Sequence, residues 1–465
     1  MSRSGIGQNP RQLAFDWEAS GEAVSSSSQG SCRSSSSSET GALAQNLMEA
    51  VVAADNMRQA LKRVRSNKGS PGIDAMTVAS LPDYLRKEWP RLRKELLEGT
   101  YQPQPVKRVE IPKSGGGMRL LGIPTVVDRL IQQAILQVLD PLYDPGFSSH
   151  SYGFRKGRSA HQALLSAREF VASGKDWVVD IDLEKFFDRV NHDLLLGRLC
   201  KRIGDKRLLR LIRRYLCAGV LLNGVVMDRH EGTPQGGPLS PLLANILLAD
   251  LDVELERRGH SFCRYADDCN IYVSSERAGQ RVMASVSRYL EGHLLLRVNR
   301  DKSAVARPSC RKFLGYRIVE QRERTRLGIA PASLQRAKQR LRVLTQRRRG
   351  VSLSQVLGEL RSFTDGWVSY FRLVPTPSAF GELDSWLRRR LRCFLWKQWK
   401  TARHRSGELV KAGLVRHLAF GVAYKGGGPW RCAKSFALHL GLPNRLLFQR
   451  GFHSLTERYL LLGSL

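Results

Sequence analysis

The chain has 465 residues, with 75 lysines and arginines against 42 aspartates and glutamates, which gives a formal net charge of +33. Its apolar content of 42% is enough for a sizeable folded core and excludes a fully disordered chain. So large a basic excess makes nucleic acid the expected partner, because lysine and arginine displace condensed counterions from phosphates. No apolar run approaches the roughly 20 residues that a spanning helix needs, so we expect no membrane partner.

The cysteines and the first residues of the chain point to a compartment. The eight cysteines form no C-x-x-C pair, which disfavours a zinc module and indicates reduced structural thiols. The start, MSRSGIGQNPRQ, has no apolar signal region. We therefore expect a cytoplasmic protein.

The N-terminal part of the sequence changes character several times. Residues 1–45 include a Ser-rich tract that cannot bury enough apolar area to fold, so we predict a flexible tail. Helical spacing begins at Asn46, and a second basic helix follows through LPDYLRKEWPRLRKELLEG. Alternating Val/Ile with charges around a Gly-rich turn in QPVKRVEIPKSGGGMRLLGIP predicts a β-hairpin. VVDRLIQQAILQVLDPLYDP predicts a helix ended by Pro145.

The middle of the chain alternates strands with helices. WVVDIDLEKFF predicts a short buried strand with an acidic end, and HSFCRYADDCNIYVSS predicts two apolar strands around an Asp-Asp turn. Strands separated by helices through about residues 105–320 indicate an α+β fold. After about residue 330 the sequence is helical, basic and aromatic.

Three carboxylates lie at the ends of these predicted strands, namely Asp182, Asp267 and Asp268. An isolated Asp-Asp pair is more often a simple turn, since Asp tolerates the dihedrals required. Here the flanking strands are apolar, so the turn lies at the edge of a buried sheet. Carboxylates on adjacent strand ends can bind Mg²⁺, which prefers oxygen ligands. The residues alone leave both interpretations open.

Nine sequence blocks, taken in order, resemble those of bacterial group II intron-encoded reverse transcriptases and maturases. Each block alone is weak, but the full series in order is specific. The blocks are NKGSPGID (67–74), IPKSGGGMRLLGIPTVVDRLIQQ (111–133), SYGFRKGRSAHQAL (151–164), DLEKFFDRVNH (182–192), GTPQGGPLSPLLANILLADLD (232–252), YADD (265–268), RVNRDKS (297–303), FLGY (313–316) and DGWVSYF (365–371).

This resemblance implies a right-hand polymerase with an antiparallel sheet in its fingers and palm, an α-helical thumb and a small C-terminal helical domain. The implied division is a tail (1–45), an N-terminal extension with fingers (46–175), a palm with the catalytic aspartates (176–320), a maturase-specific thumb (321–400) and a basic DNA-binding region (401–465).

The same resemblance implies roles for residues around the reaction. Asp182, Asp267 and Asp268 would be the catalytic metal ligands, binding two Mg²⁺ ions for which Mn²⁺ could substitute. Lys302 would protonate pyrophosphate, although an exposed helix lysine is the plainer interpretation. The remaining residues would bind the dNTP: Lys113 and Arg119 at the triphosphate, Phe187 against the ribose 2′-hydroxyl, and Gln235 with Gly236 in the nucleotide pocket. Phe186 beside Phe187 is expected in the core.

Nucleic acid contacts are implied for the primer grip and the thumb. These residues are Phe313, Leu314, Gly315, Tyr316, Trp367, Tyr370, Arg388, Arg389 and Arg390. The GWVSYF motif alone is better explained as a packed amphipathic helix face. The runs KQRLRVLTQRRR and RRRLRCFLWKQWK are too basic for packing alone.

The resemblance implies an RNA-directed DNA polymerase that copies intron RNA and also acts as a maturase. The implied partners are the parent intron RNA, an RNA template with a DNA primer, and target DNA in the bacterial nucleoid. Because the sequence contains no paired Cys/His cluster of an HNH nuclease, we expect the compact class C branch. Two alternatives remain: an RNA-binding splicing factor without polymerase activity, and a domesticated reverse transcriptase in DNA repair or phage defence.

Overall fold

The computed structural model describes residues 43–112, 117–222, 225–227, 231–233, 236–321 and 324–463. The predicted Ser-rich tail therefore lies almost entirely outside the described residues. Ala44 already forms a β-bridge with Ile203. The chain divides into two compact units, one built from residues up to 163 with 175–306, the other from 164–174 with residues from 307 onward.

The first unit contains helices and two four-stranded sheets. Its helices are α1 (Leu47–Val52), α2 (Ala54–Ser66), α3 (Leu81–Glu98), α4 (Val126–Tyr143), α6 (His192–Leu199), α7 (Lys206–Cys217), α8 (Ser240–Arg257) and α9 (Glu276–His293), while α5 (Ala160–Ala172) spans the boundary between the units. Its strands are β1 (Val106–Pro112), β2 (Met118–Ile123), β3 (Trp177–Ile181), β4 (Val220–Leu222), β5 (Val225–Met227), β6 (Ser261–Tyr265), β7 (Asp268–Val273) and β8 (Ala304–Ala306).

The two predicted hairpins of this unit are confirmed. β1 and β2 pair antiparallel from Lys107↔Ile123 to Pro112↔Met118, in a sheet of order β2-β1-β4-β5. β6 and β7 pair antiparallel and close on the Tyr265↔Asp268 pair. The second sheet has the order β6-β7-β3-β8 and is entirely antiparallel.

One large hydrophobic core holds the first unit together. Residues from α1 to α4 and α6 to α9 pack with Val179 and Ile181 of β3 and with Phe262 of β6, and each of these three strand residues is at most 1% exposed. The apolar character of WVVDI therefore reflects a strand buried beneath helices, as the sequence predicted. Phe186 is also in this core, at 2% exposed, which confirms its expected place.

The second unit is mostly helical. Its strands β9 (Tyr316–Gln321) and β10 (Arg324–Ile329) form a hairpin. Its helices are α10 (Pro331–Leu344), α11 (Leu353–Tyr370), α12 (Ser378–Gln398), α13 (Ala402–Lys411), α14 (Arg416–Tyr424), α15 (Pro429–Cys432), α16 (Phe436–Gly441), α17 (Asn444–Gln449) and α18 (Leu455–Gly463). The predicted helical character after residue 330 is confirmed for the described residues.

No helix in the described part of the chain is both long enough and apolar enough to cross a bilayer.

Candidate polymerase active site and nucleic acid interface

The central strands of the β6-β7-β3-β8 sheet bring two of the three aspartates to facing positions. β3 pairs with β7 from Trp177↔Val273 to Ile181↔Cys269. Continuing this register by one residue places Asp182 opposite Asp268. Directly opposed residues of an antiparallel pair project from the same face of the sheet. The neighbouring ends of these two central strands thus carry two half-buried carboxylates that are 86 residues apart in sequence.

The backbone of Asp182 is fixed by a turn that carries Lys302. The Asp182 amide donates to the Ser303 hydroxyl (3.0 Å), and the Asn299 amide donates to the Asp182 carbonyl (2.9 Å). Within the turn, the Lys302 amide donates to the Asn299 carbonyl at 3.3 Å. Lys302 is exposed. The structure therefore places this lysine on the segment that binds Asp182.

Asp267 lies in the two-residue turn between β6 and β7. Ala266, the first turn residue, has a φ of +59°, a conformation that suits the right-handed twist of a tight hairpin but is unusual for a residue with a Cβ. Asp267 is half-buried, like Asp182 and Asp268. A strained turn of this kind persists only when its surroundings hold it.

A buried arginine stabilises the backbone of the YADD turn. Arg264 is fully buried, and its guanidinium binds both carboxylate oxygens of Asp252 at 2.6 Å. It also donates to the carbonyl of Ala266 (2.9 Å), to the Asn245 side-chain oxygen (3.0 Å) and to the Ser151 hydroxyl (2.7 Å). Arginine has five N–H donors, so all of them are used. Burial lowers the pKa of Arg264, but Asp252 more than offsets this, and the net pKa is raised.

A glycine lets another segment reach the same turn. A Cβ at Gly153 would lie 2.3 Å from the backbone nitrogen of Ala266, so only glycine fits there. The Gly153 carbonyl accepts a hydrogen bond from Asn245 at 2.9 Å, and the Tyr152 amide donates to the Arg264 carbonyl at 2.9 Å. The SYGFR block therefore packs on the YADD turn.

The three aspartates provide only part of the coordination that Mg²⁺ needs. No three His, Cys, Asp or Glu side chains of the described residues converge closely enough to hold a metal ion by themselves. Asp182 and Asp268 offer carboxylates from facing positions, and Asp267 adjoins them. Mg²⁺ is commonly bound by one or two carboxylates together with water and substrate phosphates. These residues fit an ion whose coordination is completed by the substrate.

The residues predicted to bind the dNTP are described only in part. Lys113 and Gln235 lie outside the described residues. The backbone of Arg119 pairs with Ile111 in the β1–β2 hairpin. Gly236 has a φ of +129°, and a Cβ there would lie 2.8 Å from the Gly122 carbonyl oxygen, so this glycine permits a close approach to β2.

Phe187 lies in a short 3₁₀ helix, Phe186–Asp188, directly after the Asp182 segment. Its side chain is half-buried and its ring contacts Phe186 at a centroid distance of 5.1 Å. Its carbonyl accepts a hydrogen bond from the Thr233 amide at 2.6 Å. This contact joins the Phe187 segment to the GTPQGG block.

The predicted primer grip FLGY is a tight hairpin turn. Phe313 and Tyr316 exchange backbone hydrogen bonds of 3.0 and 2.9 Å, and both central residues have positive φ, +48° at Leu314 and +82° at Gly315. Two successive positive φ values are typical of a type I′ turn. Phe313 and Tyr316 are buried, so they support the turn, and only Leu314 and Gly315 are open to a ligand.

The maturase-type helix motif packs against this turn and forms a cavity with it. The Tyr370 hydroxyl donates to the Leu314 carbonyl at 2.7 Å, and the Tyr316 hydroxyl donates to the Tyr370 carbonyl. The adjoining cavity has a volume of about 470 Å³. It is lined by Leu314, Gly315, Ser333, Arg336, Ala337, Arg340, Phe363, Trp367, Tyr370 and Phe371. Four residues predicted from the sequence thus meet at one site.

The three consecutive arginines of α12 have different surroundings. Arg388 donates to the Ser385 hydroxyl at 3.0 Å. Arg389 lies over the Trp430 ring, 3.9 Å from its centroid, and donates to the Trp430 carbonyl. Arg390 donates to the Thr345 hydroxyl at 2.5 Å and to the Arg342 carbonyl at 3.1 Å.

Sequence reasoning missed two groups of residues. Arg264 with Asp252 was overlooked, although a charged residue inside an apolar strand is a signal, because buried charges are nearly always paired. Arg336 and Arg340 were also overlooked. Their four-residue spacing places them on one face of α10, and this spacing could have identified them.

Comparison with known proteins places these features in a family. Residues 111–318 match the family model of the reverse transcriptase (RNA-dependent DNA polymerase), and residues 334–413 match the group II intron, maturase-specific domain. Protein YkfC of Escherichia coli K12 is 35% identical over 321 residues, covering 60% of this chain and 84% of YkfC.

Two relatives carry intron-related names. The group II intron-encoded protein LtrA of Lactococcus lactis subsp. cremoris is 42% identical over 199 residues, which is 42% of this chain and 32% of LtrA. Nuclear intron maturase 2, mitochondrial, of Arabidopsis thaliana is 28% identical over 30% of this chain and 24% of its own length. The matched regions span only about a third or less of these two relatives.

The α+β sheet with its facing aspartates lies within the polymerase match, and the aromatic thumb motif lies within the maturase match. The polymerase match precedes the maturase match along the chain. The chain therefore belongs to the family of group II intron-encoded reverse transcriptases, RNA-directed DNA polymerases that carry a maturase domain.

Proposed function

We propose that this protein copies its parent intron RNA into DNA by two-metal nucleotidyl transfer and binds the same RNA to promote its splicing and retromobility. The observation that supports this most directly is the β3–β7 ladder, whose last pair, Ile181↔Cys269, directly adjoins Asp182 on one strand and Asp268 on the other. A polymerase that had decayed into a splicing factor would have no need of three carboxylates at one sheet edge.

Asp182, Asp267 and Asp268 are the residues that would hold Mg²⁺, with Mn²⁺ as a possible substitute. When bound, such ions would supply charge stabilisation at the primer 3′-hydroxyl and at the leaving pyrophosphate. The protein contributes fixed carboxylate positions. Arg264 holds the turn through the Ala266 carbonyl, and Asn299 with Ser303 holds the Asp182 backbone.

Six residues would bind the incoming dNTP or the pyrophosphate that it releases. Lys113 and Arg119 flank the Gly-rich end of the β1–β2 hairpin, where cations can bind a triphosphate. Lys302, on the turn bound to Asp182, would donate a proton to pyrophosphate. Phe187 would exclude the ribose 2′-hydroxyl, and Gln235 with Gly236 would complete the nucleotide pocket.

The cavity at the FLGY turn is the proposed primer-binding site. Its arginines, Arg336 and Arg340, would bind phosphates, while Trp367 and Tyr370 offer ring faces and edges to a sugar or base. Residues 401–465 would bind target DNA, and the basic helices of the second unit would bind the intron RNA. Electrostatic binding of this kind weakens as salt is added.

Primer extension tests the proposal. Purified protein is incubated with an RNA template, an annealed DNA primer, dNTPs and Mg²⁺, beside the Asp267→Ala/Asp268→Ala variant. We expect the variant to lose at least about a thousandfold in rate, because stabilisation by a bound metal is worth several kcal/mol. RNA binding, measured in parallel, should be unchanged. Tight RNA binding without extension by the wild type would contradict the polymerase proposal and favour the splicing-factor alternative.

Sugar selection provides a second test. Phe187→Ala should raise incorporation of ribonucleotides relative to deoxyribonucleotides about tenfold or more, since a steric contact of this kind is worth about 1–3 kcal/mol of discrimination. The neighbouring Phe186→Leu change is the control, because Phe186 is buried in the core. Unchanged selectivity in Phe187→Ala, with extension intact, would remove Phe187 from the nucleotide site.

A further inference from the structure

A second cavity in the C-terminal unit, of about 350 Å³, lies apart from the one at the FLGY turn. It is lined by three arginines, Arg342, Arg347 and Arg390, and by two tryptophans, Trp386 and Trp430. Its other lining residues, Thr345 and Cys393, are neutral. The volume is at the lower end of the range of about 300–1,000 Å³ found for small-ligand sites, which suits one nucleotide rather than a helix.

The arginines of this cavity pair with no carboxylate among the residues that the structure describes. None of the ion pairs among the described residues includes Arg342, Arg347 or Arg390, whereas Arg349 nearby binds Glu359 at 2.7 Å. Burial, together with the Arg342 and Arg347 charges, lowers the pKa of Arg390. Three like charges around one concavity repel each other, and a bound anion would relieve that repulsion.

The two tryptophans indicate a ligand with a flat ring, which a simple phosphate lacks. The guanidinium carbons of Arg342 and Arg390 lie 5.8 and 5.1 Å from the Trp386 ring centroid. Trp386 is half-buried and Trp430 is 39% exposed. Flat aromatic surfaces beside guanidinium groups are the features on which unstacked bases bind in single-stranded nucleic acid sites.

We propose that this cavity binds one unpaired nucleotide of RNA, with the base against Trp386 and Trp430 and its phosphate on Arg342, Arg347 and Arg390. RNA is favoured because all the lining residues except Trp430 lie within the maturase-specific match, residues 334–413. The proposal rests on the RNA-binding role proposed above and gives it a specific site.

The test measures binding of the full chain to a fluorescein-labelled 12-nucleotide oligouridylate by anisotropy. Trp386→Leu should weaken binding about fivefold or more, the scale of one base–aromatic stack, and Trp386→Phe should restore most of it. Arg347→Gln should weaken binding and lower the slope of log affinity against log salt by about 0.7, as expected for one lost phosphate contact on a single strand.

Arg348→Gln is the matched control, because Arg348 is exposed on the same segment but does not line the cavity. It should change affinity less than twofold. Equal losses in Arg347→Gln and Arg348→Gln, or no loss in Trp386→Leu, would overturn the proposal. Equal loss with oligodeoxythymidylate of the same length would overturn the assignment to RNA.

A cross-link locates the base directly and does not depend on affinity. An oligouridylate carrying one 4-thiouridine, irradiated with the wild-type protein, should yield cross-linked peptides containing Trp386 or Trp430. Cross-links confined to other peptides would refute the site. The Asp267→Ala/Asp268→Ala variant should lose primer extension yet still give this cross-link, so failure of this site and failure of the polymerase proposal give different results.

Discussion

Arginine appears in two opposite electrostatic settings in this protein. Below the YADD turn, Arg264 is fully buried, and each of its five donors is bound, two of them to Asp252. In the C-terminal unit, Arg342, Arg347 and Arg390 surround a concave site and take part in none of the ion pairs of the described residues. The two settings lie in different matched domains.

The contrast distinguishes arginines that stabilise the fold from arginines that are available to bind a ligand. Removing a charge from water is costly, so a buried arginine is tolerated only where a carboxylate and further acceptors compensate its charge. A partly exposed cluster without carboxylates retains its attraction for a phosphate. The net charge of +33 therefore contains both kinds of arginine, and only the second kind is available to nucleic acid.

The largest expected effect comes from breaking the buried ion pair of Arg264 and Asp252. Arg264→Met should lower the free energy of unfolding by about 3–5 kcal/mol, because Asp252 is left buried without its partner. Urea denaturation measures this loss. Arg264→Met/Asp252→Leu should recover part of it, since an apolar pair of similar volume is often tolerated. An unchanged denaturation midpoint in Arg264→Met would show that the pair is not needed for folding.

A smaller effect tests whether burial or the neighbouring positive charges control the pKa of the Cys393 thiol in the second cavity. Burial raises the pKa of the Cys393 thiol to about 11, although Arg347, Arg389 and Arg390 oppose the shift. A raised thiol pKa means less thiolate at any lower pH, so at pH 8 we expect roughly a hundredfold less than for an ordinary thiol. Reaction of Cys393 with iodoacetamide should rise about tenfold for each pH unit between 8 and 10.

Cys310 is the comparison within the same unit, because it is exposed. Mass spectrometry of the alkylated peptides gives both rates from one sample. If Cys393 reacted faster than Cys310 at pH 8, the arginines would outweigh burial, and the cavity would be more strongly positive than its geometry indicates.

The smallest effect is expected from a substitution in the group of Arg342, Arg347 and Arg390. Arg347→Gln should leave the free energy of unfolding within about 0.5 kcal/mol of the wild type, because none of the ion pairs of the described residues includes Arg347. The sign of this small change in the free energy of unfolding is informative. In low salt the variant should be slightly more stable, because one repulsive charge is gone, and the difference should vanish at about 1 M salt. A loss of stability comparable to that of Arg264→Met would abolish the distinction between the two settings.

The elements around the catalytic edge could be predicted from sequence because they follow local patterns. The apolar run WVVDI and the pair FCRY and CNIYV predicted buried strands, and the structure has β3, β6 and β7 there. The Asp-Asp turn was predicted as a hairpin, which is confirmed by the Tyr265↔Asp268 pair. Alternation and turn chemistry act over a few residues, so they leave a signature in the sequence.

Contacts between distant segments could not be predicted in this way. Asp252 lies on α8 and Arg264 on β6, and nothing in their spacing shows that they form an ion pair. The cavity around Trp386 joins α10, α12 and α15, so its members are up to 88 residues apart. The sequence indicated that such arginines would meet phosphates, but it could not separate Arg347 from Arg349, which binds Glu359.

The sequence by itself determined the α+β polymerase segment, the helical basic segment that follows, and the three aspartates as candidates for one site. The pattern of strands and helices depends on composition and periodicity, whereas the polymerase assignment and the common site of the aspartates depend on the resemblance carried by the ordered motifs. Only the tertiary structure decided that Asp182 and Asp268 adjoin the same β3–β7 pair, and which arginines are neutralised. Both depend on strand register and helix packing, where the free energy of burial is shared among segments far apart in the chain.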